Sequence, residues 1–119
     1  GYVPQTLSLD GDPVDVMVIA PLPIQAGAVI KCRPLGVLDM EDDGGVDMKI
    51  LAVPVTNLTP LYKDMKDHTD MPEETLARLV HFFEHYKDLE EGKWVKMGGW
   101  KGVDDAKKEI LASIDRYTD

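Results

Sequence analysis

The sequence is poor in the residues that would cross-link it, anchor it in a membrane or make it basic. Its 119 residues include one cysteine, Cys32, so an intrachain disulfide is excluded, and this usage favours the reducing cytoplasm. No apolar run approaches the roughly 20 residues of a membrane span. Lys and Arg number 13 against 22 Asp and Glu, a formal net charge of −9. We therefore expect no membrane and no nucleic acid among its partners.

The same acidity limits the small molecules that the chain could bind. A polyanionic substrate would be repelled unless bound metal cations intervened. An acidic surface that serves only solubility is the alternative interpretation of the composition.

The first half of the chain has strand character. Runs rich in Val and Ile, together with polar–apolar alternation, predict strands at 14–20, 28–40 and 47–53, with a short one later at 94–97. The second strand is expected to bend at Pro34 or Gly36 and to form a hairpin with the third across an acidic turn. Gly98-Gly99 predicts a turn after the last strand.

The second half has helix character. Thr59-Pro60 predicts a short helix to about residue 67, with Thr59 as its N-cap. Asp70 and Glu73 resemble a capping box at the start of a helix that runs to about residue 89. A last helix is predicted for 103–117. Strands followed by helices indicate one α+β domain over residues 1–119, with helices against one side of a small antiparallel sheet or barrel.

The segment Asp10-Gly11-Asp12-Pro13-Val14-Asp15 places three carboxylates in six residues. Carboxylates that converge so closely would repel each other without cations, and oxygen-rich sites suit Mg²⁺, Mn²⁺ or Ca²⁺. The segment is not an EF-hand loop, because Asp15 stands where that loop needs glycine. Asp-Gly and Asp-Pro are also ordinary turn formers, so an acidic surface turn is the alternative.

A second acidic segment, 41–49, contains Asp42 and Asp47 on opposite sides of the predicted hairpin turn. Lys49 shares a strand face with Asp47. Carboxylates can hold metal ions while a lysine supplies a compact positive charge for a phosphate oxygen. A solvated hairpin tip is the alternative. Lys87, on the apolar side of the predicted helix, either extends its ammonium to solvent or reaches into a pocket.

A competing pattern lies within this helix. The segment from His81 to His85 matches H-x-x-E-H, an inverted zinc-protease motif. The two histidines are one helical turn apart, but a peptidase also needs a third ligand and a cleft. Both lie on the face away from the apolar side, which better fits a solvated face or a subunit contact.

In combination, these segments resemble the soluble family I inorganic pyrophosphatases in their bacterial form. The resemblance covers nearly all 119 residues in one register. It is carried by Asp10 to Val16, Thr6-Leu7-Ser8-Leu9, Asp47-Met48-Lys49, Ala52-Val53-Pro54, His81 to Leu89, Gly92-Lys93-Trp94-Val95-Lys96 and Gly99-Trp100.

The resemblance implies a mainly β fold, a twisted OB-like five-stranded barrel with flanking helices. It implies hydrolysis of pyrophosphate to two phosphates with about three to four Mg²⁺ ions, for which Mn²⁺ could substitute. By matching position it implies metal ligands at Asp10, Asp15, Asp42 and Asp47, a proton acceptor at Asp12, phosphate contacts at Lys49, Tyr86 and Lys87, and a supporting carboxylate at Asp43, where many relatives carry Glu.

The resemblance also concerns the extent and assembly of the protein. It implies that residues 1–119 are the C-terminal two-thirds of the family's domain, and that upstream strands carry further metal and substrate contacts. We therefore expect an incomplete barrel that alone hydrolyses pyrophosphate poorly, with a catalytically incomplete metal- and phosphate-binding barrel as the alternative. A homohexamer is also implied, and we predict that His81 and His85 lie at a subunit contact.

Overall fold

A computed structural model of the chain describes residues 1–117 and gives five strands and two α-helices within them. In chain order these are β1 (Asp15–Val18), β2 (Cys32–Asp42), β3 (Gly45–Val46), β4 (Lys49–Pro54), α1 (Glu73–His85), β5 (Val95–Lys101) and α2 (Val103–Tyr117). The predicted α+β order is confirmed. No helix in this range is long and apolar enough to cross a membrane.

Strand β2 is the longest strand and organises the sheet. It pairs antiparallel with β4 on one side and with β5 on the other, and it meets β3 through a tight turn. The pairing with β4 shifts register between Pro34 and Gly36, the two positions at which the sequence predicts a bend. A Cβ atom at Gly36 would stand 2.7 Å from the carbonyl oxygen of Lys101, so a side chain here would push β5 away.

Strand β1 departs from the antiparallel arrangement that the sequence predicts, because it pairs parallel to β4. The chain adds β2 after β1 and then returns with β4, which lies between them in the order β1-β4-β2-β3. This pairing sets Asp15 directly opposite Lys49. The mixed sheet curls into a half-barrel, which agrees with the predicted incomplete OB-like barrel.

Strand β4 is buried on both faces. Successive strand residues point to opposite sides of a sheet. Ile50 and Ala52 therefore pack on one side with Ala106 of α2, while Leu51 and Val53 pack on the other side with side chains of α1. Helices on both faces hold this strand in place, and its first residue, Lys49, is fixed with it.

The capping box predicted for Asp70 and Glu73 is wrong. Helix α1 begins at Glu73 with Pro72 as its N-cap residue and has no side-chain cap. Asp67 and Asp70 instead form a reciprocal capping box on a short 3₁₀ turn, His68–Asp70. Acidic pairs three residues apart occur at both places. The pair Asp67 and Asp70 is favoured because Asp67 also accepts a hydrogen bond from the backbone N–H of Val103 at the start of α2.

The predicted helix ends are partly right. The last helix is confirmed as α2. The helix predicted to begin after Thr59 is a single 3₁₀ turn, Pro60–Tyr62, although the Thr59 hydroxyl caps it as predicted by accepting from the N–H of Leu61. Helix α1 ends at His85 rather than near residue 89, and residues 86–92 form turns and a bend.

The turn predicted at Gly98-Gly99 is also wrong, because both glycines lie inside β5. The register of β5 with β2 slips opposite Asp39 and Met40. Gly99 has φ of +96°, a backbone conformation that other residues rarely adopt. The two glycines therefore make a β-bulge, which a sequence pattern cannot distinguish from a turn.

Candidate active site

One cavity of about 330 Å³ collects all nine residues to which the sequence assigns a role. Its walls come from the loop before β1, the β2–β3 turn, the start of β4 and the segment after α1. The residues that line it are Asp10, Asp12, Asp15, Asp42, Asp43, Gly44, Asp47, Lys49, Tyr86, Lys87 and Lys93. Asp10 and Lys87, which are 77 residues apart in sequence, thus meet at one end of the half-barrel.

The loop before β1 is both a turn and part of this cavity. The backbone N–H of Asp12 donates to the Asp10 carboxylate at 3.0 Å, an Asx-type turn. Val14 is buried, and its N–H donates to the hydroxyl of Thr6, which anchors the loop to the core. The two sequence interpretations of this segment are therefore compatible, since an ordinary acidic turn carries the carboxylates into the cavity.

Lys49 is the most deeply buried positive charge described in the cavity. It is 7% exposed, and its Nζ lies 2.5 Å from Asp15 and 2.9 Å from Asp47. The ammonium also stands 5.5 Å from the centre of the Phe83 ring. Burial tends to lower the pKa of this lysine, but its two carboxylate partners outweigh burial and raise it. Lys49 therefore stays charged and neutralises two acids.

Asp47 is the carboxylate whose ionisation the cavity most disfavours. It is 5% exposed, and burial raises its pKa to about 6, even though the hydrogen bond and charge of Lys49 act in the opposite direction. The negative charges of Asp10 and Asp15 add to the increase. A cation that approached Asp47 would compete with a proton near neutral pH.

This pKa predicts an unusual pH dependence of stability. In buffer with a chelator, the free energy of unfolding should fall as the pH rises from the unfolded-state pKa of 3.8 to the folded value of about 6. The folded chain binds the Asp47 proton more tightly, so rising pH favours the unfolded chain in this window. Urea unfolding across the window should lose this component in Asp47→Asn and keep it in the exposed control Asp64→Asn. An unchanged slope in Asp47→Asn would contradict the prediction.

The β2–β3 turn provides the other half of the charges. Asp42 is 6% exposed and accepts from the N–H of Gly44 at 2.8 Å and from Lys87 Nζ at 2.9 Å. Burial alone would raise the pKa of Asp42, but Lys87 and the Gly44 hydrogen bond lower it. Lys87 was predicted on the apolar side of the helix, but α1 ends at His85 and Lys87 lies in the turn that follows. It reaches into the cavity rather than out to solvent.

The cavity lining suits a hard divalent cation. Six carboxylates against three lysines leave a formal net charge of −3, and carboxylate oxygens are the ligands that Mg²⁺ and Mn²⁺ prefer. Within residues 1–117, no three Asp, Glu, His or Cys side chains already stand together as a ligand cage. The reason is geometric, because the ammonium groups of Lys49 and Lys87 stand between the acids.

The H-x-x-E-H segment lies outside this cavity. His81 and His85 are exposed on α1 with ring centres 4.4 Å apart, and His85 Nδ1 lies 2.9 Å from the carboxylate of Asp88. Neither histidine reaches the acidic residues that line the cavity. In the part of the chain that the structure describes, no third ligand completes a metal set with them. The zinc-peptidase hypothesis requires a third ligand beside the two histidines, and residues 1–117 do not provide it.

Comparison with known proteins decides the family. The sequence profile described as inorganic pyrophosphatase matches residues 1–118. This chain belongs to the inorganic pyrophosphatase family. It is 60% identical over 117 residues to the inorganic pyrophosphatase of Agrobacterium fabrum, an alignment that covers 98% of this chain. The pyrophosphatase family resemblance drawn from the acidic segments is thus confirmed.

Solved pyrophosphatase structures have the same fold. The inorganic pyrophosphatase of Helicobacter pylori superposes with a TM-score of 0.97 at 44% identity, covering all of this chain and 70% of its own. A pyrophosphatase of Trypanosoma cruzi, solved in complex with PPi, has a TM-score of 0.89 at 28% identity and covers 99% of this chain and 51% of its own. This chain spans 66% of the length of the Agrobacterium pyrophosphatase.

Sequence reasoning missed two residues that line the cavity, Gly44 and Lys93. Gly44 belongs to the acidic turn and donates its N–H to Asp42. Lys93 lies in the Gly92-to-Lys96 segment, which contributed to the family resemblance but suggested no role for the lysine. The available signal for Lys93 was its position directly before the strand predicted at 94–97, because polar side chains at strand ends often line sites.

Proposed function

We propose that the protein hydrolyses inorganic pyrophosphate to two phosphates with the help of Mg²⁺. The observation that carries the proposal is the meeting of Asp10, Asp12, Asp15, Asp42 and Asp47 with three lysines in one cavity of a pyrophosphatase-family fold. Relatives of this chain are named inorganic pyrophosphatases, and one of them has been solved with PPi. A polyanion can approach this acidic cavity only when cations neutralise the carboxylates.

The metal ligands in this proposal are Asp10, Asp15, Asp42 and Asp47, with about three to four Mg²⁺ ions per site and Mn²⁺ as a substitute. Bound Mg²⁺ would acidify a water molecule and neutralise the phosphate oxygens. Asp15 and Asp47 both face Lys49, so their oxygens converge from β1 and from the segment before β4. Asp43 lies beside these ligands and supports the charge balance at the turn.

Asp12 would accept the proton of the attacking water. It is exposed in the loop and lines the cavity, so it would face the water without a full commitment to metal. Lys49 and Lys87 would donate to phosphate oxygens, since each ammonium has three N–H donors. Tyr86 would orient a phosphate through its hydroxyl, and its ring is held by Phe82 and Phe83 at centre distances of 5.6 and 5.4 Å.

The direct test is phosphate release from pyrophosphate by the full-length protein. With Mg²⁺ we expect turnover that a chelator abolishes, and Ca²⁺ should inhibit because its looser coordination geometry suits the site poorly. Failure to release phosphate at any Mg²⁺ or Mn²⁺ concentration would contradict the proposal. Peptide cleavage with zinc that His81→Ala abolished would favour the peptidase hypothesis instead.

The alternative of a catalytically incomplete metal- and phosphate-binding barrel is not favoured, because the relatives are named as enzymes. We further propose that residues 1–119 form one domain unit, which spans 66% of the length of the Agrobacterium pyrophosphatase. These residues alone should bind Mg²⁺ and phosphate but release phosphate from pyrophosphate far more slowly than full-length relatives. Turnover at a rate comparable to such relatives would contradict this.

Assembly and location complete the proposal. A cytoplasmic homohexamer is proposed from the family resemblance, with His81 and His85 at a contact between copies. The exposure of both rings is compatible with that contact. Molar mass in solution by light scattering checks the assembly, and a monomer at all concentrations would contradict it.

A further inference from the structure

Lys93 lines the outer, more exposed part of the cavity, here called its mouth, since its side chain is more exposed than those of Lys49 and Lys87. It has no role in the proposed mechanism. It lies just before β5, in the segment that follows the turns after α1, and its Nζ stands 2.9 Å from the carboxylate of Asp43. The other oxygen of that carboxylate lies 3.6 Å from Lys87, whose ammonium contacts Asp42 at 2.9 Å. Lys93, Asp43, Lys87 and Asp42 therefore form a line of alternating charges from the mouth into the cavity.

The position of Lys93 differs from that of an ordinary surface lysine. Its side chain is 44% exposed, yet it lines the same cavity as the acidic residues. Lys96, three residues later on β5, is also exposed but does not line this cavity. Asp43 raises the pKa of Lys93 through a hydrogen bond and its charge, so this ammonium remains protonated.

The ammonium of Lys93 retains the capacity to bind an anion. An ammonium has three N–H donors, and the recorded contact with Asp43 uses one of them. Lys49 and Lys87 each contact two carboxylates, whereas Lys93 contacts one, that of Asp43, which is less buried than Asp42 or Asp47. Of these three lysines, it is thus the one least neutralised by its neighbours.

We propose that Lys93 is a further phosphate-contacting residue at the mouth of the cavity and that Asp43 is the positioning residue that holds it there. The proposal rests on the proposed function, because it assigns Lys93 to the outer phosphate of a bound pyrophosphate or to a departing phosphate. An exposed lysine contributes to binding more than to the chemical step, so its removal acts on KM more than on kcat.

Steady-state kinetics of the full-length protein at fixed free Mg²⁺ test this role. Lys93→Gln should raise KM for magnesium pyrophosphate about three- to tenfold and change kcat less than about twofold. Asp43→Asn, which loosens Lys93 without removing it, should raise KM by about twofold. The control Lys96→Gln should leave both constants unchanged. An unchanged KM in Lys93→Gln, with an active parent protein, would overturn the inference and leave the proposed function standing.

A double-mutant comparison separates direct contact from simple neutralisation of Asp43. If Lys93 touches phosphate, Lys93→Gln raises KM in the Asp43→Asn background as well. If Lys93 serves only as the counter-ion of Asp43, its effect disappears in that background, and the inference fails. Calorimetric binding of inorganic phosphate with Mg²⁺ gives a readout without turnover, in which Lys93→Gln should weaken affinity about threefold or more. That measurement decides the inference even if the parent protein releases no phosphate from pyrophosphate; equal affinity in parent and variant would overturn it.

Discussion

Replacing Asp12 with asparagine is expected to lower kcat for pyrophosphate hydrolysis by about 10²- to 10⁴-fold. Asparagine keeps the shape of the side chain but cannot accept a proton from water. The loop should stay folded, because Asp12 contributes its backbone to it: its N–H donates to Asp10 and its carbonyl accepts from Ser8. The large loss therefore reports the chemical role of one carboxylate rather than a structural change.

The design of this experiment separates a base from a metal ligand. Phosphate release and Mg²⁺ dependence are measured for the full-length protein, for Asp12→Asn and for Asp64→Asn, an exposed acid outside the cavity. A base lost from near the water leaves the Mg²⁺ concentration for half-maximal activity nearly unchanged. A variant with normal kcat, or one whose defect vanishes at high Mg²⁺, would remove Asp12 from the role of base.

The members of the cavity were predictable from sequence because their segments carry local signals. Three acids around Gly11 and Pro13 mark a turn, and two acids around Gly44 mark a hairpin tip. Each such turn falls at a strand end, which is where a sheet gathers polar side chains. The family register then linked these turns to Tyr86 and Lys87, which are remote in sequence.

The pairing of strands was not predictable in the same way. The residues of β1 are as apolar as those of an antiparallel strand, and nothing local specifies that β4 will lie beside it in parallel. Yet this pairing is what brings Asp15 opposite Lys49. The ion pair at the centre of the cavity is thus a product of topology, and spacing within one segment could not reveal it.

Lys93 was missed for a related reason. A lysine in a charged connecting segment has no periodic signal, and Lys93 lies between the end of the predicted helix and the strand predicted to begin at Trp94. Its place at the cavity depends on how β5 pairs with the end of β2, where Val95 is opposite Asp42. Only the folded sheet sets the distance between Lys93 and Asp43.

Replacing Lys49 with methionine is expected to destabilise the chelator-treated protein by about 3–5 kcal/mol and to make it depend on Mg²⁺ for stability. The ammonium is buried between Asp15 and Asp47, and methionine would leave the Asp47 charge, 5% exposed, without its partner. Loss of Lys49 removes the hydrogen bond and the charge that hold the pKa of Asp47 down, so Asp47 either takes up a proton, at a cost that grows as the pH rises, or remains charged in a poor environment.

Magnesium should reverse much of this loss, which turns the variant into a test of the metal ligands themselves. In the parent protein, a cation that binds Asp15 and Asp47 must first displace the Lys49 ammonium, whereas in Lys49→Met it meets free carboxylates. The rise in Tm between chelator and saturating Mg²⁺ should therefore be larger in Lys49→Met than in the parent or in the exposed control Lys31→Met. An equal rise in all three proteins would mean that Asp15 and Asp47 do not bind the cation. A stable Lys49→Met in chelator would mean that Lys49 does not neutralise the charges of Asp15 and Asp47. The Tm rise thus tests metal binding by the two carboxylates, and the stability in chelator tests their neutralisation by Lys49.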